Sequence, residues 1–470
     1  MKRRLLLVNP INQRFYKNRV GLTANKATRF QPLGLGMIAS LTPDNWGISI
    51  SDENFTQFCY QEADLVGITV FTATAPRAYE IAQVFRKKKI PIVMGGFHIT
   101  MCPDEALQFA DSLVLGEAEN IWQGLIKDFE NGKLKKTYQG TPADLNNLPL
   151  PKRTIFSNEY LFGSIETSRG CPMDCKFCSV SAFYGKNQRF RPVEDVLNEL
   201  KIIPQKQVFF VDDNIVGYTP SSKERLKDLC RGMIEKNIKK DWWCQTTFSF
   251  GEDEELLYLA AKSGCKLLFI GIEAQDAPAL MSINKKLNLK TGNQKMEIIF
   301  RRINEYGIGV IGAFMFGMDT DTTKTIKERT DYITESNANA IQITYLTPLP
   351  GTRLYEELCN QGRIIYTRYP EDWEHYTFAE VTYHPLGMTV SELENARKYV
   401  VRKIYNWCSV FKRFLKTLLS TKNFITTLWA TAFHLFLRQA TIRSHRLSIK
   451  INLPDHRNNT CRKSTRPTNE

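Results

Sequence analysis

Short apolar runs bounded by turn residues recur at 3–8, 64–70 (DLVGITV), 90–96 (IPIVMGG) and 112–115 (SLVL). Their length and their Val/Ile/Leu content predict buried β-strands, and the helical spacing of apolar residues over 75–88 and 118–130 predicts helices beside them. Strands alternating with helices imply a parallel sheet with helices on its faces. This unit ends near Gly140, and the polar, proline-bearing stretch Thr141 to Arg153 reads as a linker placed at 141–160. A second series follows, with strands near 163–168, 207–212, 242–247, 266–273, 308–316 and 340–346. Its helices are expected near 193–202, 222–236, 253–263, 294–306 and 322–335. Six such βα units make a partial (β/α)6 barrel over 161–355, whose chemistry belongs in the loops after the strands. An aromatic-rich capping region over 356–406 and a tail over 407–470 complete the chain, with no internal repeat of 20–50 residues.

Composition narrows the function classes. With 470 residues, 43% of them hydrophobic and 24% charged, the chain can bury large cores and is neither disordered nor collagen-like. Its net charge of +14 is local, because residues 401–470 hold 14 Lys/Arg against 2 Asp/Glu. The basic run Arg443 to Lys463 has few interleaved aromatic residues, so no nucleic-acid partner is expected. Only four apolar residues precede Asn9-Pro10 and no small-residue cleavage site follows, so a cytoplasmic location is expected. The uncharged stretches Ser336 to Thr352 and Asn423 to Leu437 are respectively too polar and too short to predict a membrane span. Between Trp407 and Leu437, however, Phe411, Phe414, Leu415, Leu418 and Leu419 recur at helical spacing against Lys412, Arg413 and Lys416. Two readings stay open for this basic amphipathic pattern: a peripheral contact with the inner face of a membrane, or a helix packed on the barrel.

Eight of the eleven cysteines are scattered singly. The other three, Cys171, Cys175 and Cys178, form C-x3-C-x2-C in the loop after the first strand of the second series. Three thiolates on a compact loop suit an iron–sulfur cluster with four irons and leave one iron open to an exogenous ligand, as a catalytic cluster requires. A zinc site is the alternative, but no Cys or His lies nearby in sequence to supply a fourth ligand.

This run, with Phe177 before the third cysteine, resembles the radical S-adenosylmethionine superfamily over about 165–350. The resemblance implies that Cys171, Cys175 and Cys178 bind a [4Fe-4S] cluster that chelates S-adenosylmethionine and cleaves it reductively to a 5′-deoxyadenosyl radical, with Phe177 beside the cofactor. Strand ends carrying Asp212-Asp213-Asn214, Gly271-Ile272-Glu273, Gly309-x-x-Gly312 and Thr347 to Thr352 resemble family motifs at their usual places. Glu273, Asp212 and Asp213 become candidate nucleoside or substrate contacts and Gly312 a point of close approach. Asp-Asp-Asn is also an ordinary helix-capping turn.

The first unit presents Gln31 to Gly36, Thr69 to Thr74, Gly95 to Thr100 and Leu115 to Glu119 at its carboxyl edge, small residues and hydroxyls over which a flat macrocycle could lie. With the downstream domain, the order resembles the cobalamin-binding class of radical S-adenosylmethionine enzymes over residues 3 to about 400. A Rossmann-like cobalamin-binding domain over 1–140 is implied, with Thr72, Gly95, Gly96 and His98 as candidate contacts. No Asp-x-His-x-x-Gly motif is present, so cobalamin would bind without a histidine axial ligand. His98 is a cobalamin contact in one reading and a loop-stabilising or helix-capping residue in the other.

The expected activity is methylation of an unactivated carbon of a hydrophobic, natural-product-like substrate. Cofactors are a [4Fe-4S] cluster, S-adenosylmethionine and cobalamin, and the electron comes from an external reductant such as a flavodoxin or ferredoxin. Trp373-Glu374-His375-Tyr376 and Tyr383 to Thr389 resemble the branch that includes hopanoid methylases. Ring closure or rearrangement without net methyl transfer, as in the anaerobic porphyrin cyclase branch, is the enzymatic alternative, and a non-catalytic cobalamin-binding or scaffold protein the non-enzymatic one. Beyond the cluster no catalytic residue is assigned. Tyr345, Tyr376, His375 and His384 read more readily as packing residues than as chamber walls.

Overall fold

Two wholly parallel six-stranded sheets follow one another in the computed structural model, which describes residues 2–16 and 29–448. The first contains β1 (Arg3–Asn9), β2 (Trp46–Asp52), β3 (Leu65–Thr69), β4 (Ile92–Gly95), β5 (Ser112–Leu115) and β6 (Thr137–Gln139), in the order β2-β1-β3-β4-β5-β6. Strands β2 and β6 add to the four expected. β1 lies between β2 and β3, and its Leu5, Leu6, Leu7 and Val8 are all buried because helices cover both faces.

Three helices do this: α1 (Leu33–Leu41), α2 (Ala75–Arg86) and α3 (Trp122–Glu130). Leu6, Val8, Val66 and Ile68 pack against Ala78, Ile81 and Phe85 of α2. Leu5, Leu7, Leu65 and Val93 face Leu35 of α1 and Trp122 and Leu125 of α3. Each such side chain contributes about 1.5–3 kcal/mol on burial, so this alternation fixes which face each helix occupies.

The second sheet contains β7 (Phe162–Ile165), β10 (Gln207–Phe210), β11 (Asp241–Thr246), β12 (Cys265–Glu273), β13 (Gly309–Phe316) and β14 (Ala340–Tyr345), in the order β14-β13-β12-β11-β10-β7. Between its first two strands, β8 (Ser168–Arg169) and β9 (Arg189–Phe190) form a short antiparallel ribbon. Outer helices are α4 (Val193–Ile202), α5 (Pro220–Glu235), α6 (Glu254–Ser263), α7 (Asn293–Glu305) and α8 (Thr323–Glu335). Val208, Trp242, Leu268 and Val310 join the core with these helices, whereas Phe209, Trp243, Leu267 and Ile311 point to the concave face.

Three helices end the described chain: α9 (Val390–Tyr405), α10 (Trp407–Thr421) and α11 (Phe424–Ser448). Trp429, Ala430, Phe433 and Leu437 of α11 pack on the concave-face residues Phe162, Phe209 and Trp243, so α11 stops the amino-terminal half of the barrel interior. The tail is thus a structural part of the barrel along α11, while one face of α10 remains exposed. No described helix is long and apolar enough to cross a membrane. The basic run Arg443 to Lys463 lies outside the described residues from 449 onward.

Candidate functional site

The cysteine loop leaves β8 through Gly170, whose φ of 91° and whose approach to the Asn187 carbonyl exclude a side chain. Later loops hold it from the other side: Lys176 N–H donates to the Ile283 carbonyl at 3.1 Å, and Asn284 Nδ2 to the Asp174 carbonyl at 2.6 Å. Cys171, Cys175 and Cys178 are all half-buried there, and Cys178 N–H donates to the Cys175 carbonyl at 3.2 Å. Burial raises the Cys175 thiol and pushes Cys178 up to about 12. Three thiol donors on one loop are the donor type that an iron–sulfur cluster takes. Phe177 is half-buried against the main core and lies outside the cavity described below.

Glu273 ends β12 at φ 66° and accepts from Lys285 Nζ at 2.8 Å. A Cβ on Gly271 would lie 2.5 Å from Glu273 Oε1, so that glycine makes the room for the carboxylate. Burial works against the Lys285 charge, but Glu273 and the cysteine thiols raise its pKa overall.

Asp212 and Asp213 differ completely. Asp212 is buried and accepts from Thr167 Oγ1 at 2.8 Å, Ser168 Oγ at 2.6 Å and Thr167 N–H at 3.2 Å, which ties β10 to the start of the cysteine loop. Asp213 makes no hydrogen bond among the described residues and lines the cavity; burial, with Asp212 and Glu166 nearby, raises it to about 7.

That cavity measures about 1190 Å³, beyond the 300–1,000 Å³ range usual for drug-sized ligands. It joins the carboxyl edge of the first sheet to the cysteine-loop side of the second, and it reaches between the first sheet and α1 and α3, past Leu7, Val93, Met37 and Trp122. Gly95 and Gly96 line it; a Cβ on Gly96, at φ 110°, would sit 2.9 Å from the Val70 carbonyl. Such an apolar, glycine-floored slot fits a large flat macrocycle, and no histidine is among its lining residues.

Three expected contacts lie off the cavity lining. His98 is wholly buried and turns away from the cavity; its Nε2 lies 3.2 Å from Glu105 Oε1 and its ring meets Trp373 edge-on at 5.2 Å. Trp373 Nε1 and Tyr79 OH each donate to the same carboxylate at 3.1 Å. The short helix Phe97–Met101 directs His98 inward, where it joins the first domain to the capping region. Thr72 is buried off the lining, which its neighbours Phe71 and Thr74 form instead. A side chain on Gly312 would meet Ile272, Ala338 and Phe314, so this glycine makes room for core packing. Tyr345 and Tyr376 are core residues, His375 stacks on Tyr366 at 3.7 Å, and His384 is exposed away from the chamber.

A junction between the two sheets escaped sequence reasoning. Arg169, two residues before the first cysteine, binds Glu117 at 2.7 Å and Glu119 at 2.6 Å from the first domain and Glu166 at 2.8 Å from its own. Burial acts against the Glu117 charge, yet Arg189 and Arg169 hold its carboxyl below the ordinary range. Burial raises Glu166. Glu117, Glu119, Glu166 and Arg169 all line the cavity, and only the charge-bearing loop termini hinted at it in sequence.

The family model described as the radical SAM superfamily matches residues 165–333, and that described as the B12 binding domain matches residues 19–126. The bacteriochlorophyllide d C-8(2)-methyltransferase of Chlorobaculum tepidum is 30% identical over 448 residues, covering 88% of this chain and 94% of that protein. The hopanoid C-2 methylase of Rhodopseudomonas palustris is 28% identical, covering 71% and 65% respectively. The anaerobic magnesium-protoporphyrin IX monomethyl ester cyclase of Rubrivivax gelatinosus is 23% identical, covering 73% and 66%. In fold, the chain is similar to the radical S-adenosylmethionine methyltransferase TsrM from Kitasatospora setae, solved with cobalamin and a [4Fe-4S] cluster. The TM-score is 0.68 at 18% identity, over 95% of this chain and 99% of that one.

Proposed function

The chain belongs to the cobalamin-dependent radical S-adenosylmethionine methylase family, and from that premise we propose that it methylates an unactivated carbon of a hydrophobic, natural-product-like substrate. The observation that carries this reading is the single cavity bounded both by the cobalamin-domain edge and by the cysteine-loop side of the barrel. When bound, the cluster with S-adenosylmethionine supplies hydrogen-abstracting power and cobalamin supplies the methyl group.

Cys171, Cys175 and Cys178 would hold the cluster, and Gly95 and Gly96 would floor the macrocycle slot. Glu273, fixed by Lys285, offers a carboxylate to an ammonium or ribose at the cluster side. Asp213 is the unsatisfied carboxylate of the wall; near neutrality it can hold or release a proton at its Oδ atoms and orient a polar group of the substrate. Phe30, Phe97, Trp429 and Phe433 give the wall an apolar stretch, which favours a hydrophobic substrate and excludes water around the reacting carbon. An external flavodoxin- or ferredoxin-like donor would deliver the electron.

Anaerobic protein reconstituted with iron, sulfide and cobalamin is expected to form 5′-deoxyadenosine with reductant, and to lose that activity in Cys175→Ala. Incubated with lipophilic extracts, it should yield products heavier by one methylene. The cyclase relatives favour a second reading, ring closure, in which product mass changes without carbon gain.

A further inference from the structure

Trp407, Phe411, Leu415 and Leu419 follow at four-residue intervals on α10, hence along one face, and are 41–75% exposed. Across the turn at Lys422 and Asn423, Phe424, Ile425 and Leu428 of α11 are exposed in the same way. This face belongs to an anchored element. On the opposite side of α10, buried Arg413 donates to the carbonyls of Ala338 and Ile333, and Lys416 reaches back to those of Glu335 and Ser336.

The charge that this stretch of chain carries has one sign. No Asp or Glu occurs between Glu394 and Asp455, and Arg402, Lys403, Lys412 and Lys422 are exposed beside the apolar stripe. A second copy of this face would meet cation with cation. An apolar stripe on a stretch of chain whose own charges are all cations complements a surface that is hydrocarbon beneath an anionic layer.

The face is also continuous with the cavity. Ile425 and Leu428 line it, as do Phe30 and Leu161, and these four apolar side chains are each 40–54% exposed, which makes them a rim open to the outside.

We propose that the α10–α11 hairpin docks on an anionic lipid bilayer and that this apolar rim receives the substrate from the lipid phase. The docking stands on the hairpin alone; the second clause rests on the hydrophobic substrate proposed above.

Full-length holoenzyme is mixed with vesicles of phosphatidylcholine containing phosphatidylglycerol, or of phosphatidylcholine alone, and floated on a density gradient. Flotation with the anionic vesicles is expected, weakened about ten-fold or more without phosphatidylglycerol and by the double variant Leu415→Glu/Leu419→Glu. Both positions are exposed, so circular dichroism should be unchanged, and reductive cleavage of S-adenosylmethionine, measured without vesicles, should stay at its original rate. Absence of flotation, or flotation indifferent to the variant, overturns the proposal. So does a dimer in sedimentation equilibrium that the double variant dissolves, because the face then joins two copies. Docking is read without substrate, so an active methylase that never floats refutes only the docking, and a floating protein that never methylates refutes only the activity.

Discussion

Arg169 Nη1 lies 2.7 Å from Glu117 Oε2, so the residue pair that joins the two sheets sits one glycine away from Cys171. Both side chains are nearly buried, and Arg169 also holds Glu119 and Glu166. In the proposed reaction methyl donor and radical source would meet over one substrate, and this junction ties together the two strand-end openings.

Replacing Arg169 by Met strands Glu119 and Glu166 and leaves Glu117 to Arg189 alone. A cost of about 3–5 kcal/mol is expected for breaking such a buried pair, seen as a lower unfolding temperature and a reduced cobalt-to-iron ratio in purified protein. Arg169→Lys should recover little, since a point charge cannot serve three carboxylates at once. An Arg169→Met protein as stable and as cobalt-rich as the parent would show that the junction does not position the cofactor domain.

Asp212→Asn and Asp213→Asn should part company. Asp212 is fully used by Thr167 and Ser168, so placing an amide N–H against those donors is expected to cost about 1–3 kcal/mol in stability. Asp213 has no such partner, so Asp213→Asn should change stability by no more than about 0.5 kcal/mol while lowering turnover. Chemical denaturation and a methyl-transfer assay on both variants separate the roles; the opposite ordering would mean that Asp213 is the structural carboxylate.

His98→Ala should destabilise the protein by about 2–4 kcal/mol, because it opens a buried gap beside Trp373 and removes a partner of Glu105. Cobalt content after reconstitution should match the parent. Loss of cobalt at unchanged stability would return His98 to the cofactor.

His434 on α11 accepts from the Ile341 N–H at 3.2 Å, and burial, aided by Arg413, lowers its pKa to about 3 from 6.5. The unfolded chain therefore binds a proton below pH 6.5 that the folded chain refuses. Stability contributed by neutral His434 is complete above that pH and falls by about 1.4 kcal/mol per unit as pH drops towards 3. Between pH 7.5 and 5.5, thermal unfolding of the parent should shift downward more than that of His434→Gln; equal shifts would place the acid sensitivity elsewhere.

Much of this was legible along the chain. The apolar runs located ten of the twelve sheet strands, because a strand buried on both faces writes itself as a continuous run. They passed over β2, where Ile48 and Ile50 alternate with small residues, and the three-residue β6 at the sheet edge. The cysteine spacing was legible because all three thiols belong to one segment, the loop after β8.

What the sequence by itself determined, then, is whatever local spacing encodes: two βα series in tandem, three thiols on one turn, and a basic tail with an apolar stripe. Only the tertiary structure decided which of two adjacent aspartates is satisfied, because Thr167 is forty-five residues from Asp212. It alone turned His98 from the cavity towards Trp373, brought Arg169 to Glu117, and divided the tail between a helix stopping the barrel and a face left to solvent. Each depends on which side of an element meets which distant neighbour. Burial and charge pairing act through space, and one-dimensional periodicity records that a face exists without recording what covers it.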